Sequence, residues 1–397
     1  MIGRRALLAA AVLRPGWPDL GARTFATLRA RLAALPAGPA LLRSYDVRHG
    51  AHETDFDRTN AVCAYVYDNA LAGHALLAAG DRAGAMRIGQ ALAIAQRNDR
   101  FYHDGRLRNA YAAGPMTRPA KLPGWWDVQA KRWAEDPYQA GTAAGVVAWA
   151  MLLWLALDDA KLRAAAVLAA GWVEANLRGP RGYRGGFIGF EPRPQPLQWV
   201  STEHNLDLAV AFHKLGRGAS AAHAAAFVKA MWDRRQGRFM AGLTPEGAMN
   251  PFSALDANVW PQLAAGMPAS LRPALAGVLR HHGVPRADPR GLDFDADADG
   301  IWMEGTAFTA LALRLTGRPA ARFGATLAAN LAPGGLIRAT DVPALATGLT
   351  IGADATAPPF LYFPRPHIAP TAWAVMAARR ANPLASASGL WRGFDVN

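Results

Sequence analysis

The sequence predicts an all-α fold, an (α/α)6 toroid of six inner and six outer helices. Three observations predict it. Alanine-rich runs such as Ala164-Ala165-Ala166 favour helix, while β-branched clusters at period two are almost absent. Six segments open on polar or aromatic residues and then become small and apolar on nearly every face, the pattern of a buried helix. Amphipathic segments follow most of them, with Arg or Lys on one side and Ala or Leu on the other, the pattern of a half-solvated outer layer.

The inner segments are Asn60–Ala79, Tyr138–Leu157, Ser201–Leu215, Leu255–Gly266, Trp302–Thr316 and His367–Ala381. Gly80, Gly216, Gly266 and Gly317 mark the C-terminal ends of four of them. The outer segments are Arg82–Arg97, Ala160–Leu177, Ala219–Trp232, Ala269–His281 and Pro319–Leu331. No outer segment follows Ala381, so Thr24–Leu35 is expected to close the ring by packing beside the last hairpin. The loops into the inner helices are long and rich in Gly, Pro, Trp and Tyr: Asn98–Pro137, Arg178–Val200, Gly283–Ile301 and Ala332–Pro366. Links from inner to outer helix are short. Long loops on one face mark a functional face. Within or near them, Gly182–Phe190 and Arg234–Leu243 read as small β-hairpins.

Of the 397 residues, 51% are hydrophobic, enough for one large core. The expected organisation is a twin-arginine-type signal remnant over residues 1–16, carried by Arg4-Arg5, followed by one domain over 17–397. That reading places the protein in the periplasm or outside the cell, and in the cytoplasm if the N-terminus is not a signal. The net charge of +13 comes mainly from arginines spread singly along the chain. There is no Lys/Arg run of five, no zinc-finger spacing and no RNA-binding signature, so no nucleic-acid partner is expected. A basic surface or an acidic polymer substrate accounts for the charge. The lone Cys63 excludes a disulfide framework and a cysteine metal site. No stretch approaches the ~20 apolar residues of a membrane span, and a monomer is expected.

In such a ring the inner helices run parallel and their N-termini converge on one mouth. Three motifs put acids there. In Trp199-Val-Ser-Thr-Glu203-His204-Asn205-Leu-Asp207, Ser201 or Thr202 suits an N-cap, and Glu203 and Asp207 share one helix face. Glu203 could serve only the first turn, but Asp207 sits in an apolar helix interior, where a carboxylate is costly unless paired or functional. Trp302-Met-Glu304-Gly again sets an acid beside an aromatic, with capping as the alternative role. Tyr65-Val-Tyr67-Asp68-Asn69 places Asp68 in a helix apolar on all sides, as a buried structural group or as a catalytic one.

Glycoside hydrolysis requires two carboxyl groups across the scissile bond. Asp68, Glu203, Asp207 and Glu304 offer such a pair. Sugar rings also need flat apolar platforms, and Trp125, Trp126, Trp133, Tyr138, Trp199, Trp260, Trp302 and Trp373 lie in the approach loops or on inner helices. Trp125-Trp126, in a Pro/Gly-rich loop, is the foremost platform, since a Trp within an inner helix is more often core. Tyr67, Asn69, Tyr138, Trp199, His204, Asn205, Trp302 and His367 complete the expected binding set. Asp293-Phe-Asp295-Ala-Asp297-Ala-Asp299-Gly resembles the start of a calcium loop, but the twelfth position from Asp295 is Thr306 instead of Glu. An acidic loop bordering the cleft is expected, with no metal and no cofactor.

The Tyr-x-Tyr-Asp-Asn-Ala-Leu, Ser-Thr-Glu-His-Asn and Trp-Met-Glu-Gly-Thr segments, together with the helical repeat, resemble the six-hairpin glycosidase superfamily. The chain is similar in particular to bacterial cellulase-like or exopolysaccharide-associated glycoside hydrolases, over about residues 20–385. The resemblance implies a single-domain hydrolase with a carboxylic acid pair, usually inverting, and leaves the four acids ranked Glu203, Asp68, Asp207, Glu304. The substrate expected is a glucan-type or bacterial exopolysaccharide chain. A polysaccharide lyase is the first rival, with His204, Asn205, Tyr65, Tyr67 or His367 in its chemistry, although an acid-rich mouth repels a uronate polymer. A terpene-cyclase-like toroid and a non-catalytic sugar-binding toroid are the others.

Overall fold

A computed structural model of the chain describes residues 16–264, 272–352 and 356–385. Its helices are α1 (Trp17–Ala33), α2 (Asp55–Asn60), α3 (Val66–Ala78), α4 (Arg82–Arg97), α5 (Pro137–Ala140), α6 (Ala144–Ala156), α7 (Ala160–Asn176), α8 (Thr202–Leu215), α9 (Gly218–Ala230), α10 (Leu255–Ala264), α11 (Arg272–His281), α12 (Met303–Leu315), α13 (Ala321–Ala329) and α14 (Ile368–Arg379). Helices α3, α6, α8, α10, α12 and α14 touch in that order, and α14 touches α3, so the inner ring closes. The outer layer is α1, α4, α7, α9, α11 and α13. The expected (α/α)6 toroid is the observed fold. The twin-arginine segment and parts of the fourth hairpin around Gly266 and Ala269 lie outside the described residues.

Local chemistry explains the two layers. Helix α6 carries no charged side chain, and nearly all of it is buried. Helices α4 and α7 are capped by Asp81 and Asp159, whose carboxylates accept the free N–H groups of the first turn. Helix α8 ends at Gly216, with φ +86°, a left-handed cap that a Cβ would strain. At the seam, α1 packs on α14 and α13. A Cβ on Gly21 would stand 2.4 Å from that of Ala378, so the missing side chain lets the two helices meet.

The starts of the inner helices differ from the sequence reading. Residues Cys63–Tyr65 and Thr142–Ala143 are strands, paired with Ala110–Ala112 and Gly186–Ile188, so α3 and α6 begin later than expected. Val200–Ser201 and Pro366–His367 enter α8 and α14 in the same way. The reason is local: each approach loop satisfies its backbone on a neighbouring loop before the chain turns into the ring. Trp232–Asp233 pairs with Arg238–Phe239 as a small hairpin, close to the one expected at 234–243. Gly182–Phe190 is not a hairpin in itself, because Gly186–Ile188 pairs with Gln195–Leu197 and with Thr142–Ala143.

One device recurs around the ring. The fourth residue of α3, α8 and α10 is Asn69, Asn205 or Asn258, and each side chain clasps the backbone of the preceding loop at Leu42, Tyr183 or Phe239, accepting from its N–H and donating to its carbonyl. The fourth residue of α12 and α14 is Thr306 or Thr371, which accept from Leu292 and Ile337 N–H groups. Asn205→Ala would leave the buried Tyr183 N–H and carbonyl unpaired, at about 1–3 kcal/mol for each group. Chemical denaturation should show a loss of about 2–4 kcal/mol, against near-neutral substitution of the exposed Asn176.

Two buried ion pairs fasten the loops. Arg365 makes a bidentate contact to Asp57 at 2.6 and 2.8 Å, beside the capping box of α2. Arg108, with no side-chain exposure, donates to Asp99 at 2.6 and 2.8 Å and to Glu191 at 3.0 Å, joining the 98–136 and 178–200 loops. The guanidinium holds Asp99 below its usual range against the cost of burial and, with Arg100, holds Glu191 near 2. Removing one partner of such a pair strands the other charge. Arg108→Met is therefore expected to cost about 3–5 kcal/mol, measured as a shift in the urea midpoint at neutral pH.

Candidate active site

Four inner helices deliver a carboxylate to the mouth from their first turn. Glu203, Asp256 and Glu304 are each the second residue of α8, α10 and α12, and Asp68 is the third of α3. The clasped Asn or Thr sits one or two positions later, so each helix start fixes a loop with one side chain and presents an acid with another. Asp256 is not among the acids expected from the sequence. Its signal is the register itself: Leu255-Asp256-Ala-Asn258 repeats the spacing of acid and Asn in Thr202-Glu203-His-Asn205.

The acids form two linked groups. Glu203 is half-buried and lies beside Asp256. Its carboxyl is pushed well above the usual range by burial, then by the neighbouring charges of Asp256 and Asp207. Asp256 is pushed up to about 6 by burial. Asp207, one turn deeper on α8, is fully buried. Its Oδ2 accepts from Trp149 Nε1 at 3.1 Å while Oδ1 has no partner, and burial also raises its carboxyl. On the other side, Tyr67 donates to Glu304 Oε1 at 2.5 Å, and burial pushes Glu304 up to about 8. Asp68 lies 3.0 Å from His367 Nε2, and the His367 ring stacks on Tyr45 at 3.9 Å.

The floor beneath these acids explains the shifts. Trp149, Trp260, Trp373 and Phe308, from α6, α10, α14 and α12, pack edge-on or tilted with ring centres 5.3–6.0 Å apart. Tyr67 stands on Trp149 at 5.4 Å. An apolar aromatic floor gives a carboxylate little solvation, so the neutral acid is favoured. Carboxyls held protonated near neutral pH are proton donors in waiting.

Aromatic walls complete the mouth. Tyr67, Tyr138 and Tyr362 are half-buried beside the acids, and Trp199 and His204 are half-buried at the start of α8. Trp199 packs on His204 at 5.4 Å, and Gly145 leaves room for that imidazole, since a Cβ there would stand 2.4 Å from it. Tyr362, also absent from the expected set, stacks on Trp302 at 5.6 Å and feels Glu304 and Asp68. Farther out, Trp125–Asp127 pairs with Arg132–Ala134, setting Trp126 opposite Trp133 with 58% and 54% exposure.

No protein-family model matches this sequence, and no curated protein matches it. Solved structures do. A glycosidase in its wild-type form superposes with a TM-score of 0.56 at 14% identity, covering 91% of this chain and 98% of that one. A glycosidase variant in complex with glucose gives 0.55 at 13% identity over 91% and 98% of the two chains. The GH63 mannosylglycerate hydrolase from Thermus thermophilus, in complex with glucose, gives 0.50 at 14% identity over 90% and 99%. The fold is that of the (α/α)6 glycosidases.

Within this toroid the expected site residues separate. Asp68, Glu203, Glu304, Tyr67, Tyr138 and His367 gather at the mouth, while Trp199 packs on His204 at the start of α8. Asn69 and Asn205 do not serve there: their amide N–H groups are spent on Leu42, Tyr65, Tyr183 and Ser201 carbonyls. Trp302 is 3% exposed among Phe294, Phe308 and Tyr362, so it packs the wall instead of presenting a platform. The Asp293–Asp299 loop is only partly solvated, with Asp293 and Asp295 buried. Oxygens of Asp293, Asp297 and Asp299 lie within 4.8 Å of one another, and burial with Asp297 beside it pushes Asp293 up to about 8. Asp299 accepts from Ala346 N–H, tying this loop to the Leu345–Thr350 strand.

Proposed function

We propose that the protein is a glycoside hydrolase that cleaves a glucan-type or bacterial exopolysaccharide chain by carboxylic acid catalysis. The observation that supports this reading is the convergence of Asp68, Glu203, Asp256 and Glu304 from the first turns of four inner helices onto one aromatic-floored mouth. Glu203 is the general acid. Its proton passes to the glycosidic oxygen as the bond to the anomeric carbon breaks and the electron pair leaves with that oxygen. Asp68, oriented by His367, takes a proton from the water whose oxygen bonds to the anomeric carbon. Burial and the neighbouring charge of Asp256 keep the Glu203 proton in place. Glu304, held by Tyr67, receives a sugar hydroxyl. Trp126 and Trp133 give flat faces for sugar rings at the rim. This chemistry uses no cofactor. Export to the periplasm goes with the Arg4-Arg5 signal reading. No described helix is long and apolar enough to cross a membrane.

The test is purified protein against neutral glucans, mannans and uronate polymers, with reducing ends and ultraviolet absorbance read together. New reducing ends without absorbance, abolished in Asp68→Asn, support the reading. Absorbance from an unsaturated uronate end, retained in Glu203→Gln and lost on changing His204, replaces the hydrolase with a lyase. No product from any polymer removes the proposed activity and leaves the toroid.

A further inference from the structure

Behind the strand that leads into α8 lies a second concavity, of 280 Å³, near the lower end of the ~300–1,000 Å³ typical of ligand pockets. It is open to solvent. Arg178, Arg181 and Arg184 line it from the 178–200 loop, with Gln198 and Thr244 opposite. None of the three arginines pairs with a carboxylate among the described residues. Arg178 donates to the Tyr183 hydroxyl at 3.2 Å, Arg181 to the Gly247 carbonyl at 2.5 Å and Arg184 to Gln198 Oε1 at 3.3 Å. Those neutral acceptors fix the guanidinium groups and leave their charge uncompensated. The acids nearest in sequence, Glu174 and Glu191, pair with Arg217 and with Arg100 and Arg108, and Glu246, between the pocket residues Thr244 and Gly247, is exposed.

We propose that this pocket binds an acidic group, a carboxylate or phosphate, on a saccharide chain whose scissile bond lies at Glu203. Three forked donors on one loop match planar or tetrahedral oxyanions, which is the recognition arginine performs best. The position fits a subsite of the same chain. Val200 lines the pocket and stands three residues before Glu203, across the Ser201 cap of α8. Trp199, between the pocket residues Gln198 and Val200, packs on His204, the residue after Glu203, so the segment leading into α8 lines the pocket and meets the helix turn that carries Glu203. The neutral state favoured for Glu203, Asp207 and Glu304 also removes much of the repulsion that a polyanion would meet there. This inference rests on the hydrolase reading for its substrate, and names that substrate as an acidic polysaccharide.

Binding is read without turnover, by calorimetry on Glu203→Gln protein. The probes are an oligogalacturonate, a neutral cello-oligosaccharide of equal length and inorganic phosphate. The oligogalacturonate is expected to bind at least about tenfold more tightly than the neutral chain and to weaken as salt rises. Each of Arg178→Gln, Arg181→Gln and Arg184→Gln should weaken it by about tenfold, and phosphate should compete. Equal binding of acidic and neutral chains overturns the site, as does unchanged oligogalacturonate binding in the triple Gln variant. Phosphate binding lost in the triple variant without any oligogalacturonate binding overturns the saccharide assignment. Arginine-dependent oligogalacturonate binding in a protein that cleaves no polymer keeps the pocket and removes the hydrolase reading, so the two failures are distinct.

Discussion

Replacing Glu203 by Gln lowers kcat by about 10²–10⁴-fold, the contribution of a positioned general acid, while KM changes little. Gln keeps the size and polarity of the side chain, but it has no acidic proton to give. The loss should therefore appear in kcat, with thermal unfolding unchanged or slightly raised. The wild-type profile carries the same signature. Burial and the charges of Asp256 and Asp207 raise the Glu203 carboxyl well above its ordinary value, so activity persists through neutral pH and falls once that proton is lost. Asp256→Asn removes one of those charges and should move the alkaline limb to lower pH. A Glu203→Gln enzyme that retains wild-type kcat would assign the acid to another side chain.

Glu304→Gln stabilises the protein increasingly as pH rises. Burial lifts Glu304 from 4.5 to about 8, so the folded state holds a proton that the unfolded state has released. The sign follows from linkage: a raised folded-state value gives stability that is fully present below about 4.5 and lost as pH rises through about 8. Gln carries no proton to lose and keeps an acceptor for Tyr67. Across that window the wild type should lose on the order of 5 kcal/mol from this group, at about 1.4 kcal/mol per pH unit, and the variant should not. Urea midpoints for both proteins at about pH 5, 7 and 9 measure it. Parallel losses in both proteins would place the pH sensitivity elsewhere. The gain in stability should come with lost activity, since a carboxyl under burial strain is what the mouth maintains.

Much of this architecture is legible in the chain because the forces that form it are local. The all-apolar run of α6 has no surface on which to expose a side, and the Asp81 and Asp159 caps with their amphipathic successors allow only an outer position. The closure of α1 on α14 follows from counting faces that need a partner. The helix starts are harder to read. Cys63–Tyr65 carries no turn residue, and its strand depends on Ala110–Ala112, far away in sequence. The same non-locality hides part of the site. Asn69 and Asn205 stand beside acids in sequence, yet a helix turns 100° per residue, so adjacent side chains face different neighbours. One reaches the mouth and the other the loop. Asp256 is inconspicuous because its helix opens without the aromatic that marks Glu304 and Asp68, although its spacing to Asn258 repeats that of Glu203 to Asn205. The three arginines of the 178–184 loop read as dispersed charge in the sequence, and only folding gathers them.

The central claim is that carboxyls of this mouth add water across a glycosidic bond. The most direct measurement is digestion of the polymer substrate in water enriched in the heavy isotope of oxygen, with mass spectrometry of the products. Hydrolysis at this mouth puts one heavy oxygen at each newly formed reducing end, and Glu203→Gln protein forms almost none. Products that carry no heavy oxygen and end in an unsaturated uronate would contradict it.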